Sequence, residues 1–230
     1  MFFRKAILII HGFAGGTYDQ EYLANFLELE KNFDVFTFTL PGHDSINRAK
    51  VTKEEWIKCS EEHIQMLIDQ GYMGIYVIGH SMGGVIACHL ATKYKQIKKL
   101  VLAAPAFQYL ALKDGNFDIL EIMKNSPEVF KTYNKEEIIS RVFKFSFKVV
   151  NEFVELVKKY QKTPFSITIP TLIIQGLNDS IVPIESSKYV FNSLKSQKKK
   201  ILFFEKTTHD IFKGEKKEEI SNKIKEFLKY

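Results

Sequence analysis

Gly74-Ile75-Tyr76-Val77-Ile78-Gly79-His80-Ser81-Met82-Gly83-Gly84-Val85-Ile86 is the stretch of this 230-residue chain whose reading decides the fold. The apolar run 74–78 predicts a strand, and a helix-period run begins near Val85. Between them Gly79-His80-Ser81-Met82-Gly83 matches the pattern G-x-S-x-G in the strand-turn-helix context that the pattern requires. A turn this sharp forces the serine into a strained backbone conformation, and side chains at Gly79 or Gly83 would collide with the turn. Ser81 is thereby presented above the sheet, and the helix that follows aims its amides and positive dipole end at developing negative charge. Glycines and a serine can also make no more than a tight helix start, so the reading stands only if partners for Ser81 exist elsewhere.

The same alternation extends outward in both directions. Short runs rich in Val, Ile and Phe at 6–10, 34–38, 74–78, 99–102, 171–174 and 200–204 predict at least six strands. Segments 18–30, 53–70, 85–95, 185–194 and 216–228 carry apolar residues at three- and four-residue spacing and predict helices. Strands alternating with helices make an α/β fold with a mostly parallel sheet, its helices on both faces and its strands buried throughout. Ligands then gather at the strands' carboxyl ends. Residues 106–166 break the rhythm and are dense in Phe and Tyr, which predicts an inserted, mainly helical cap within one 1–230 domain. Its pieces look helical at 117–124 and 149–160, while Phe143, Phe145 and Phe147 fit either a strand or a helix.

With 45% hydrophobic and 26% charged residues the chain is an ordinary globular protein, which excludes disorder, collagen and coiled coil. No apolar run nears the roughly 20 residues that span a bilayer, and 6–10 is too short for a signal-peptide core. Cys59 and Cys88 make no disulfide framework, and a reducing cytoplasm is the expected location. The net charge of +6 and pI near 9.0 raise the question of nucleic acid, but the lysines are dispersed and the densest run, 198–200, is only three long. The expectation is a lysine-rich surface with no nucleic-acid partner and no stable membrane anchor.

A serine hydroxyl is a poor nucleophile at neutral pH and needs a histidine base held by a carboxylate. In the strand-turn-helix version of this chemistry the order along the chain is serine, acid, histidine. His11, His43, His63 and His80 precede Ser81 and are eliminated, leaving His89 and His209. His89 lies eight positions into the helix that Ser81 introduces, two turns away. His209, in Glu205-Lys206-Thr207-Thr208-His209-Asp210, follows the last strand, where a loop can carry it over Ser81. Between Ser81 and His209 the aspartates are Asp114, Asp118 and Asp179. The first two fall in the insertion; Asp179 follows strand 171–174 in Gln175-Gly176-Leu177-Asn178-Asp179, although alone it would read as a turn former.

His11-Gly12-Phe13-Ala14-Gly15-Gly16 follows the first strand, and its glycines let the backbone pass close to a bound carbonyl. The amides of Phe13 and Met82 are the expected oxyanion donors, with His11 a structural hydrogen-bonding residue. The spacing fits neither G-x-G-x-x-G nor the P-loop pattern.

His11-Gly12-Phe13, Pro41-Gly42-His43, Gly79 through Gly84, Asp179 and His209 together resemble the α/β-hydrolase superfamily, and within it the small bacterial carboxylesterases and monoacylglycerol lipases. The resemblance covers nearly the whole chain. It implies Ser81 as nucleophile, His209 as base and Asp179 as the residue that orients it, in agreement with the elimination. Asp44 departs from the pattern, standing where a second glycine often follows Gly-His. The chain also begins at what the larger family counts as its third strand, implying a sheet without the leading antiparallel strands. Ser81 argues against the haloalkane dehalogenases and epoxide hydrolases, which place an aspartate at the elbow.

The inserted aromatics, Phe107, Tyr109, Phe117, Phe130, Tyr133, Phe143, Phe145, Phe147 and Phe153, suit a cap whose underside is an apolar acyl pocket. The expected reaction is hydrolysis of a small-molecule ester, with a short- to medium-chain acyl group or a monoacylglycerol, through an acyl-enzyme. Two alternatives stay open: an esterase for aromatic acyl groups of the cinnamoyl or feruloyl type, and a non-catalytic binding module on the same scaffold. No cofactor and no metal is implied, since the Cys and His spacings supply no convincing ligand set.

Overall fold

The structure, a computed structural model, describes residues 4–43, 51–108 and 147–230, together with two short strands at 112–113 and 116–117. Six strands form one sheet: β1 (Lys5–Ile10), β2 (Phe33–Thr37), β3 (Ile75–His80), β4 (Ile97–Ala103), β7 (Thr171–Gly176) and β8 (Lys199–Phe204). The order is β2-β1-β3-β4-β7-β8, and every neighbouring pair is parallel. A separate antiparallel pair joins β5 (Leu112–Lys113) to β6 (Asn116–Phe117). The chain steps from β1 outward to β2, then returns to the other side of β1 for β3 and continues to β8. That reversal leaves a crevice at the carboxyl ends of β1 and β3, the position where such sheets bind ligands.

Six helices accompany the strands among the described residues: α1 (Glu21–Glu28), α2 (Lys53–Asp69), α3 (Met82–Lys93), α4 (Phe147–Tyr160), α5 (Ile184–Ser193) and α6 (Lys217–Lys229). Successive side chains of a strand point to opposite faces, and β1 divides accordingly. Ala6, Leu8 and Ile10 join the apolar layer built with α2, α3, α4 and α5, whereas Ile7 and Ile9 join the layer built with α1 and α6. Local chemistry sets the helix boundaries: Thr52 caps α2 in a capping box, its amide donating to Glu55 Oε2 at 2.8 Å. Helix α3, running Met-Gly-Gly-Val-Ile-Ala-Cys-His-Leu, has nearly all of its first nine residues buried, as a helix under the middle of a sheet must.

The six predicted strands are present, as are the five predicted helices outside the insertion and the one at 149–160, and two expectations change. Burial throughout holds for β3 and β7, while β1 and β4 carry lysines at their amino-terminal ends that reach solvent, and β2 and β8 are edges and only half-buried, since among the described residues each has a neighbour on one side only. Phe117 is not in a helix: its backbone lies in β6, and 118–124 fall outside the described residues. The undecided Phe147 opens helix α4, while Phe143 and Phe145 fall outside the described residues, as do Asp44, Tyr109, Asp114, Asp118, Phe130 and Tyr133. No helix among the described residues is long and apolar enough to cross a membrane.

Candidate active site

Ser81 directly follows β3 with φ 54° and ψ −118°, a left-handed conformation that a serine adopts at a cost of about 1–3 kcal/mol. The surrounding backbone shows why the flanking positions are glycine. A Cβ on Gly79 would lie 2.3 Å from the Gly83 carbonyl oxygen, and one on Gly83 would lie 2.2 Å from the Ile10 carbonyl oxygen. Met82 is the first residue of α3, so its amide belongs to the group for which a helix supplies no internal acceptor. Ser81 itself is held by its main chain: its amide donates to the Ala103 carbonyl at 2.9 Å, and its carbonyl accepts from Gly84 and Ala106.

Asp179 and His209 are thirty residues apart in the chain, and the two loops that carry them are stitched together. The Asn178 amide donates to the Thr207 carbonyl at 3.0 Å, and Asn178 Oδ1 accepts from the Lys206 amide at 3.1 Å. Asp179 Oδ2 then accepts from His209 Nδ1 at 2.8 Å, with the carboxylate fully buried and the ring 10% exposed. Burial alone would push the Asp179 carboxyl up. The His209 charge and hydrogen bond, together with the Val182 and Ile181 amides, outweigh it and hold the carboxyl below the usual carboxylate range. Both amides donate to Oδ1 at 2.9 Å. An imidazole that donates through Nδ1 carries its basic lone pair on Nε2.

Gln175 is a contributor that sequence reasoning missed. Its Nε2 donates to Asp179 Oδ2 at 3.1 Å, while its Oε1 accepts from Ser187 Oγ at 2.7 Å. Glutamine in a buried strand gives no pattern signal; its value appears only once the two loops are in place.

The loop after β1 lies over the elbow because Ile10 pairs with Gly79 in register. A Cβ on Gly12 would stand 3.0 Å from the Ser81 Cβ. His11 is neutral and structural: its Nε2 accepts from the Leu40 amide at 2.9 Å, so its Nδ1 carries the proton toward the Gly12 carbonyl at 2.8 Å. Burial lowers its pKa to about 4. Phe13 is gripped by rings from three other segments, stacking on Phe153 of α4 (5.1 Å, 10°) and meeting Trp56 of α2 and His43 edge-on. Glu152, next to Phe153, accepts from both the amide and the Nζ of Lys53 at 3.1 Å, which ties α4 to the start of α2.

The structure thus brings Asp179 and His209 into contact and sets Ser81 beneath the Phe13 loop. Among the described residues no hydrogen bond joins the Ser81 hydroxyl to His209; such contacts are often long until substrate is bound. His89 lies elsewhere, half-buried with its Nε2 3.2 Å from Glu61 on α2. Asp210, next to His209, is half-buried, and its charge acts on His80. Among the described residues no group of three or more His, Cys, Asp or Glu side chains could hold a metal ion.

A family model described as "Serine aminopeptidase, S33" (Hydrolase_4) matches residues 3–217. A carboxylesterase of Bacillus subtilis (strain 168) is 24% identical, over 97% of this chain and 92% of the relative. The monoglyceride lipase of Homo sapiens is 25% identical, over 91% of this chain and 77% of its own length. Among solved structures, a monoacylglycerol lipase of Paleococcus ferrophilus superposes with a TM-score of 0.74 at 22% identity, covering 97% of this chain and 93% of that one.

Proposed function

The chain belongs to the Hydrolase_4 family of α/β-hydrolases, and from that premise we propose that it is a serine esterase acting through an acyl-enzyme on Ser81. The observation that carries the reading is the hydrogen bond from His209 Nδ1 to the buried Asp179, which leaves Nε2 as the base on the sheet edge where Ser81 stands. Ser81 Oγ attacks the ester carbonyl carbon and gives its proton to His209 Nε2. The carbonyl oxygen becomes an oxyanion received by the Phe13 and Met82 amides, each such donor being worth about 3 kcal/mol of barrier. Collapse expels the alcohol, protonated by His209, and water activated by the same imidazole hydrolyses the acyl-serine.

Residues 106–166 form the cap in this reading, and its described helix α4 supplies an apolar wall beside Phe13. The substrates are short- to medium-chain esters or monoacylglycerols, the latter being what the names of the similar lipases denote.

The test is hydrolysis of p-nitrophenyl esters from C2 to C12, of monoacylglycerols and of methyl ferulate, with labelling by a fluorophosphonate probe. Wild type is expected to cleave p-nitrophenyl butyrate and to be labelled, and Ser81→Ala to lose both, with at least a 1,000-fold drop in kcat. A wild type that neither hydrolyses esters nor takes the probe is a binding module, and an active Ser81→Ala refutes the mechanism. Preference for an aminoacyl p-nitroanilide would move the chain toward the peptidase activity in its family's description.

A further inference from the structure

His80 is the residue before Ser81, and it ends β3 as a buried polar side chain with no part in the proton transfers proposed above. A buried imidazole is costly unless its nitrogens are used, so its partners are informative. Its Nε2 stands 2.9 Å from the main-chain carbonyl oxygen of His209, 129 residues away. A carbonyl only accepts, so Nε2 carries the proton and donates. The two imidazoles approach to 4.8 Å between centroids at 40°, and Phe212 closes the other flank of His80 edge-on at 5.8 Å. From the third side the Phe13 loop presses in: a Cβ on Gly12 would come within 3.4 Å of His80 Nδ1. The ring is therefore confined by two of the segments that make the site, the loop of His209 and Phe212 and the loop of Gly12 and Phe13, and its Nε2 bond runs to the backbone of the residue proposed as base. Burial, then the neighbouring His209 charge, lower its pKa to about 4, so it is neutral at physiological pH and holds the tautomer that this bond needs.

We propose that His80 is a positioning residue, a strut from the nucleophile elbow to the His209 main chain that sets where the His209 imidazole stands relative to Ser81. The inference rests on the serine-esterase reading. Asp179 fixes the rotation of the His209 ring through Nδ1, and Asn178 stitches the His209 loop to the Asp179 loop, but neither contact constrains that loop against the nucleophile elbow. The bond from His80 supplies that second constraint, and because His80 is covalently next to Ser81, any shift of the elbow carries the base with it. Misplacement by about 1 Å can cost about 100-fold in rate, so the strut belongs to the reaction geometry as well as to folding.

Three substitutions separate the roles. His80→Gln keeps an amide N–H where Nε2 stood, His80→Phe keeps the ring and removes the donor, and His80→Asn keeps polarity with a shorter reach. Steady-state kinetics on p-nitrophenyl butyrate should show His80→Gln within about threefold of wild type. His80→Phe and His80→Asn should lose 10- to 100-fold in kcat with KM changed by less than about twofold. The downfield proton resonance of the Asp179–His209 hydrogen bond should be sharp in wild type and His80→Gln, and broadened or shifted in the other two. Should His80→Phe fail to fold, the contrast of Gln with Asn carries the test. A folded His80→Phe with wild-type kcat, or a Gln variant as impaired as Asn, overturns the strut. If wild type shows no ester hydrolysis and no probe labelling, the esterase reading is what fails. The proton resonance, which needs no turnover, then still decides whether His80 positions His209.

Discussion

The elbow after β3 and the loop after β1 sit side by side over the same crevice, yet they are held by different means. The elbow is shaped by main chain against main chain: Gly79 against Gly83, Gly83 against Ile10, and a serine at φ 54° between them. The loop is shaped by side chains from far along the sequence. Phe13 lies among Trp56, His43 and Phe153, and Asp19 pairs with Lys213. A turn defined by backbone sterics carries its own instructions, whereas a turn defined by distant side chains depends on everything that delivers them. The two should therefore fail differently under mutation.

The harshest test of the contrast is Gly83→Ala. The added Cβ meets the carbonyl oxygens of Ile10 and His11, which no rotamer change can move, so the variant is expected not to accumulate as folded protein, measured by soluble yield and circular dichroism. Wild-type stability in this variant would show that the elbow relaxes and end the distinction. Phe153→Ala comes next. Removing a buried ring typically costs about 3 kcal/mol, a fall of roughly 10 °C in Tm for a chain of this size, and the fold should survive it. Because Phe153 stacks on Phe13, kcat should fall about tenfold as well; an unchanged kcat would mean that the Phe13 amide is placed without help from α4.

Acid compares the two segments through their histidines, His11 at the start of the loop and His80 in the elbow. Both have folded pKa values of about 4, below the 6.5 of the unfolded chain, so between these values the unfolded state binds more protons. Their contribution is complete above about pH 6.5 and is lost as pH falls toward 4, by up to about 3 kcal/mol for each ring. Tm followed from pH 7 to pH 4 should drop steeply, and a flat profile would show that neither ring is held neutral. The smallest effect is expected for Lys213→Met. It breaks the partly exposed pair with Asp19 and should cost about 1 kcal/mol or less, a difference that shrinks in 1 M NaCl.

What could be read directly from residues follows the same division. The strands were legible because their apolar runs are short and closed by turn residues, and the elbow because glycine is demanded at Gly79 and Gly83 by contacts within a few residues or with the adjacent strand. Asp179 and His209 could be sought by elimination, since few carboxylates and histidines lie at strand ends beyond Ser81. The stitch by Asn178, the support of Asp179 by Gln175, the reach of His80 to the His209 carbonyl and the Phe13–Phe153 stack left no mark in the sequence. Each joins residues that are silent alone, and the insertion offered aromatic composition without a periodicity that chooses between strand and helix at Phe147.

The sequence by itself determined the order of strands and helices, the place of the sharp turn and which side chains were available at the carboxyl edge. These depend on periodicity, backbone freedom and residue chemistry, which act over a few positions. Only the tertiary structure decided that the Asp179 carboxylate and the His209 ring face each other at 2.8 Å, and that a ring from α4 steadies the loop after β1. Those facts depend on how parallel strands stack in register and on which face each helix covers, and such distances are set by the packing of the whole sheet rather than by any segment of it.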